Sequence, residues 1–259
     1  MKRGRFPILF GVLGGLLVGF VLLPLGATLL ATSPQHLVAT LFDEEVSQSI
    51  GLTITAAAVA TCIGLVGGLP LAYLLARARF RGKRLVEGII DLPVIIPHTA
   101  AGIALLMVFG RQGILGKPFS QAGVFFTDTL AGVVVAMLFV SLPYLVNMSR
   151  EAFALIDPEM EQVAAIDGAS PLQAFLYVTL PQAWRGIAGG ALMMWARGIS
   201  EFGAVVILAY HPKIVPVLIF ERFEGFGLSY ALPVAVILIM AVLVIFALLR
   251  WLLMPERNP

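Results

Sequence analysis

The chain has 259 residues, 59% of them hydrophobic and 12% charged, with a mean hydropathy of +0.98. A soluble domain carries roughly 45–50% apolar and about 25% charged residues, so too little polar surface remains here to cover a water-soluble globule. A net charge of +2 is too small for a nucleic-acid partner, and the single cysteine, Cys62, rules out an internal disulfide or a multi-cysteine metal site.

At about 20 apolar residues per crossing, this length holds six or so transmembrane helices with short connections. Residues 1–259 therefore read as a single all-α transmembrane domain with no additional soluble enzyme domain. The first apolar stretch, about 6–31, follows Lys2, Arg3 and Arg5. A signal peptide shares that basic start but has an apolar part of about 7–15 residues, so an uncleaved first span is expected. Pro24 is tolerated there if neighbours satisfy the freed carbonyl. Further spans are expected at about 49–78, 86–109, 129–148, 183–210 and 229–253. Their apolar runs are continuous rather than alternating, and they exceed the roughly 9–11 residues of a barrel strand. Gly14-Gly15, Gly64, Gly67-Gly68 and Gly189-Gly190 are small-residue patches suited to close helix packing, within one chain or between two.

The basic residues set the orientation. With a cytoplasmic N-terminus, Lys2, Arg3, Arg5, Arg77, Arg79, Arg81, Lys83, Arg84, Arg150, Arg185, Arg250 and Arg257 lie on the cytoplasmic side. Arg111, Lys117, Lys213 and Arg222 lie opposite, and Arg197 falls within span five. This twelve-to-four bias follows the positive-inside rule. An even number of spans then places both termini, and the long polar connection 149–182, in the cytoplasm.

That connection reads as two short helices around a turn. Asp157 suits an N-cap, Pro158 the first helical position, and Glu159 and Glu161 the positive helix end. Gly168 suits the left-handed geometry beyond a C-terminus. Ser170-Pro171-Leu172-Gln173 offers a capping box, and the second helix is expected to end before Pro181. A merely structural or re-entrant loop would satisfy the same pattern. A rigid knob between spans would also suit force transmission from a soluble partner.

Glu161-Gln162-Val163-Ala164-Ala165-Ile166-Asp167-Gly168-Ala169-Ser170, followed by Phe175 and Thr179-Leu180-Pro181, resembles the "EAA" loop of ABC importer permeases. Gly168 matches the family glycine, Ala164 its second alanine, and Leu180-Pro181 the closing pair. Gln162 stands at the family glutamate with Glu161 one position earlier, and Val163 replaces the first alanine. Two further segments narrow the likeness. Asp91-Leu92-Pro93-Val94-Ile95-Ile96-Pro97-His98-Thr99-Ala100-Ala101-Gly102 and Trp195-Ala196-Arg197-Gly198-Ile199-Ser200-Glu201-Phe202-Gly203-Ala204 are similar to stretches of molybdate, tungstate and sulfate permeases. The resemblance implies a coupling loop carried by Glu159, Glu161, Gln162, Ala164, Ala165, Asp167, Gly168, Ala169 and Ser170. It also implies a homodimer, two cytoplasmic ATPase subunits that use ATP and magnesium, an external substrate-binding protein, and a place in a prokaryotic inner or plasma membrane. This chain itself would bind no cofactor.

Physics singles out some of the same residues. Arg197 and Glu201 are four apart on one helix face and can pair. A charge at a helix centre costs roughly 2.5–3.5 kcal/mol on insertion scales, so the pair should avoid lipid. It either braces span five or, with Ser200, sets a field for a dianion in a pathway that must bind weakly enough to release. Pro93 and Pro97 interrupt span three, as a packing kink or as a broken helix whose freed backbone, with His98 and Thr99, meets an anion. Asp91, with Glu87 one turn earlier, reads as a cap or as a partner of nearby arginines. His98, His36 and His211 have no metal-site spacing.

No enzymatic motif emerges. Gly110 through Gly116-Lys117-Pro118 has one residue too many for a phosphate loop, and proline stands where a Ser or Thr would bind the metal. Any ATP hydrolysis must then come from another chain. A sulfate or thiosulfate permease, an ion-coupled secondary transporter using Arg197, Glu201 and Asp91, and a membrane scaffold are the alternatives.

Overall fold

The computed structural model describes residues 5–253. Lys2, Arg3 and Arg257, counted in the charge bias, lie outside them, as do the side chains at 5 and 6. The described residues form thirteen α-helices and one π-helical turn, with no strand among them. In chain order these are α1 (Arg5–Leu30), α2 (Pro34–Leu41), α3 (Glu44–Arg77), α4 (Lys83–Ile95), α5 (His98–Phe109), α6 (Gly116–Gln121) and α7 (Leu130–Ala154). They continue with α8 (Glu159–Ile166), α9 (Pro171–Ala174), the π-turn Phe175–Thr179, α10 (Leu180–Ile199), α11 (Gly203–Leu208), α12 (Val215–Phe226) and α13 (Leu228–Leu253).

Four helices are long and apolar enough to cross a membrane: α1, α3, α7 and α13. A fifth candidate exists if α4 and α5 count together, but they meet at 113°. The stretch expected at 86–109 is thus divided at Pro97, the break expected there, and the two halves turn sharply on each other. Pro97 lacks an N–H and drives Ile96 into an extended conformation (φ −77°, ψ 148°), which ends α4. Pro93 does not interrupt; it sits buried inside α4.

The span expected at 183–210 also divides. α10 stops at Ile199, and Ser200–Phe202 separates it from α11, because the Glu201 carboxylate takes the Ala204 N–H that a continuing helix would use (2.8 Å). The second loop helix does not end before Pro181. It runs into α10 through the π-turn, whose Leu180 N–H donates to the Phe175 carbonyl. The wider register absorbs the proline, which has no N–H and whose ring crowds the preceding turn of an α-helix. α2, α6 and α12 occupy segments that were expected to be plain connections.

The core is the packing of α3, α7 and α10. Ala56, Ala57 and Ala60 of α3 meet Met137 and Val140 of α7 and Leu192, Trp195 and Ile199 of α10. A second cluster joins Ala72 and Leu75 to Val146, Phe153, Ala183 and Ile187 at the loop end of the bundle. Of the glycine patches, Gly64 faces Met194, Gly68 faces Leu142, Leu145 and Val146, and Gly190 faces Leu145 and Met148, while nothing approaches Gly14, Gly15 or Gly67. α1 is exposed along nearly its whole length.

Candidate functional site

The loop between α7 and α10 is built by local caps. Asp157 Oδ1 accepts the Glu159 N–H at 2.9 Å and starts α8, with Glu159 and Glu161 in its first turn. Gly168 ends it at φ +90°, with Ala169 N–H donating to Ala164 and Gly168 N–H to Ala165, the paired bonds of a Schellman turn. Ser170 and Gln173 then close a reciprocal capping box (2.8 and 3.3 Å). α8 buries no residue. Glu159, Gln162, Ala165, Asp167, Gly168 and Ser170 are exposed; Ala164 and Ala169 are half-buried. Val163, Ile166 and Leu172 are also exposed apolar side chains, with Ile166 84% exposed.

Glu161 is turned the other way. Its Oε1 accepts from Arg77 Nε (3.0 Å) and Thr179 Oγ1 (2.7 Å), and its Oε2 from Tyr73 OH (2.9 Å). Arg77 also donates from Nη1 to the Ile156 carbonyl at 2.9 Å. Tyr73 stands edge-on to Phe153 and Phe175, with ring centroids 5.6 and 4.9 Å away. Burial disfavours the Glu161 charge, but the hydrogen bonds from Thr179, Tyr73 and Arg77 outweigh it and hold the carboxyl below its usual range. Tyr73 carries no sequence signal as a partner of Glu161; Arg77 enters only through the charge bias and Thr179 only through the closing Thr179-Leu180-Pro181 segment.

A second cluster joins the two broken helices. Glu201 is fully buried; its Oε2 meets Arg197 Nη2 at 3.0 Å and His98 Nδ1 at 2.7 Å. Arg197 Nη1 donates to Ser200 Oγ at 3.2 Å. The structure thus gathers His98, Arg197, Ser200 and Glu201. Pro97 supplies the break before His98, Thr99 lies exposed next to it, and Pro93 sits a turn earlier within α4. Arg197 and His98 keep 21% and 32% side-chain exposure, so the cluster is reachable from one side. α5 and α11 meet here backbone to backbone: a Cβ on Gly102 would lie 2.8 Å from Ile207 Cβ, and one on Gly203 2.8 Å from His98 Cβ. Nearby, Glu87 pairs with Arg150 (2.9 Å), while Asp91 takes Asn147 rather than an arginine (2.6 Å).

At the far end of α3, Lys213 bridges Glu45 (3.0 Å) and Glu221 (2.7 Å), and Arg222 bridges Asp43 (2.8 Å) and Glu45 (3.3 Å). The hydrogen bond to Glu221 outweighs burial and raises the Lys213 ammonium above its ordinary value. No group of His, Cys, Asp and Glu among the described residues could hold a metal ion.

Residues 68–253 match the family described as the binding-protein-dependent transport system inner membrane component. Over 259 residues the chain is 43% identical to the molybdate/tungstate transport system permease protein WtpB of Pyrococcus furiosus, covering 99% of each. It is 31% identical over 236 residues to the sulfate transport system permease protein CysT of Salmonella typhimurium, covering 88% of this chain and 85% of that one. Among solved structures it resembles a bacterial alginate ABC transporter in complex with an alginate pentasaccharide-bound periplasmic protein (TM-score 0.76, 18% identity, 95% and 93% covered), a likeness of fold.

Proposed function

Since the chain belongs to the inner membrane components of binding-protein-dependent transport systems, we propose that it forms the translocation pathway of an ABC importer for molybdate or tungstate. It is a multi-pass, non-catalytic subunit. The observation that carries the substrate is end-to-end similarity to a molybdate/tungstate permease, at higher identity than to a sulfate permease. Six crossings follow if α4–α5 and α10–α11 are the interrupted ones, with both termini and the α7–α10 loop in the cytoplasm. A second copy, two ATPase subunits that use ATP and magnesium, and an external binding protein complete the assembly. The fold neighbour with its periplasmic protein supports the external partner.

The loop supports coupling because it is rigid and presents Val163, Ile166 and Leu172 outward. The His98–Arg197–Ser200–Glu201 cluster lies between two broken helices, where irregular backbone at membrane depth is tolerated inside protein or beside water. Arg197 supplies a cation to an oxyanion there, and the Glu201 partnership limits its grip. The test is ATPase activity of the complex reconstituted with its binding protein. Tungstate- or molybdate-loaded binding protein stimulates it, and sulfate-loaded protein does not. In the same assembly Arg197→Gln lowers uptake while the complex still co-purifies. Equal stimulation by sulfate overturns the substrate assignment; unchanged uptake reduces Arg197 to a brace.

A further inference from the structure

We propose that Glu161 is a positioning residue that ties the coupling loop to α3, rather than a contact to the ATPase subunit. The inference rests on the coupling role proposed above. One carboxylate ties α8 to three other segments of this chain. Tyr73 and Arg77 belong to the last turn and a half of α3, Thr179 to the π-turn that leads into α10, and Ile156, through Arg77, to the chain leaving α7. α8 itself buries nothing, so hydrophobic packing does little to fix its angle. The fixing is polar and directional. Charge-assisted hydrogen bonds of this kind are short and geometrically strict. With both oxygens engaged inward, at side-chain exposures of 15% for Arg77 and 19% for Glu161, the carboxylate is committed to its own chain. A push on the exposed face of α8 is then delivered to α3 and α10 together.

The experiment uses the assembled transporter with its binding protein and compares Glu161→Gln, Arg77→Gln, the double variant and the milder Tyr73→Phe. Two quantities are read: the amount of ATPase subunit that co-purifies, and the ratio of substrate-stimulated to basal ATPase activity. A loss of hydrogen bonds to a charged group predicts a drop of about tenfold in that ratio for Glu161→Gln, with co-purification retained. Arg77→Gln produces a similar drop, the double variant is no worse than either single one, and Tyr73→Phe falls in between. Loss of co-purification in Glu161→Gln, additive losses in the double variant, or an unchanged ratio overturns the proposal. Ile166→Asp is the control on the coupling role: it releases the ATPase if α8 is the docking knob. Retention there refutes the coupling role itself, whatever Glu161 does.

Discussion

A carboxylate taken partly out of water keeps its charge only where donors replace the water it lost. Glu161 has three such donors, Tyr73 OH, Arg77 Nε and Thr179 Oγ1, and the result is a pKa below its ordinary 4.5. A group whose folded pKa is depressed adds stability above its unfolded value, and that stability is lost as pH falls through the folded value. The stability difference between the wild type and Glu161→Gln should therefore be constant near neutrality and shrink below about pH 4.5, the unfolded reference. Thermal unfolding of the purified complex across pH measures it. A difference that stays flat down to pH 3 would show that the carboxylate is not held by its charge. The caps around Glu161 were legible in the sequence because they are local: Asp157 reaches two residues ahead and Ser170 three. The partners of Glu161 were not, since Tyr73 and Arg77 lie 88 and 84 residues away and no short-range pattern encodes that pairing. Arg197 and Glu201 were legible as a pair by their helical spacing, whereas His98, 103 residues from Glu201, joins them only through the fold.

Elements meet where side chains allow them to. α5 and α11 approach so closely at Gly102 that an added Cβ would sit 3.0 Å from the Ala204 Cα and carbonyl oxygen, atoms that cannot rotate away. Gly102→Ala should cost about 1–3 kcal/mol, the usual penalty for overpacking. Gly67→Ala is the matched control. It lies in α3 with nothing within 4 Å, and alanine there should be neutral or gain up to about 1 kcal/mol from helix propensity. Thermal unfolding of the two variants side by side decides the point; equal effects would mean the α5–α11 contact is loose. Continuous apolar runs gave the existence of the spans but not their breaks. Prolines at 24, 70, 93 and 143 sit inside helices, and Pro97 ends one. Which of these a proline does depends on tertiary support for its freed carbonyl, not on its sequence position.

On the scale of the molecule, α3 is the longest element. Its 34 residues rise about 51 Å, well beyond a hydrocarbon core of about 30 Å. One end carries Tyr73 and Arg77 against the loop; the other carries Asp43 and Glu45 against Lys213 and Arg222. α8 is thus an attachment to a bundle whose core, α3 with α7 and α10, does not include it. This separation predicts the outcome of replacing residues 159–168 with a Gly-Ser linker of equal length. Because α8 buries no residue, its removal subtracts little from that core, and the chain should still insert and purify as the wild type does. What it removes is the knob. The ATPase subunit should then fail to co-purify, and uptake driven by ATP should cease. A complex that still assembles around the linker would place the docking surface on another part of this chain, and the loop would be structural only.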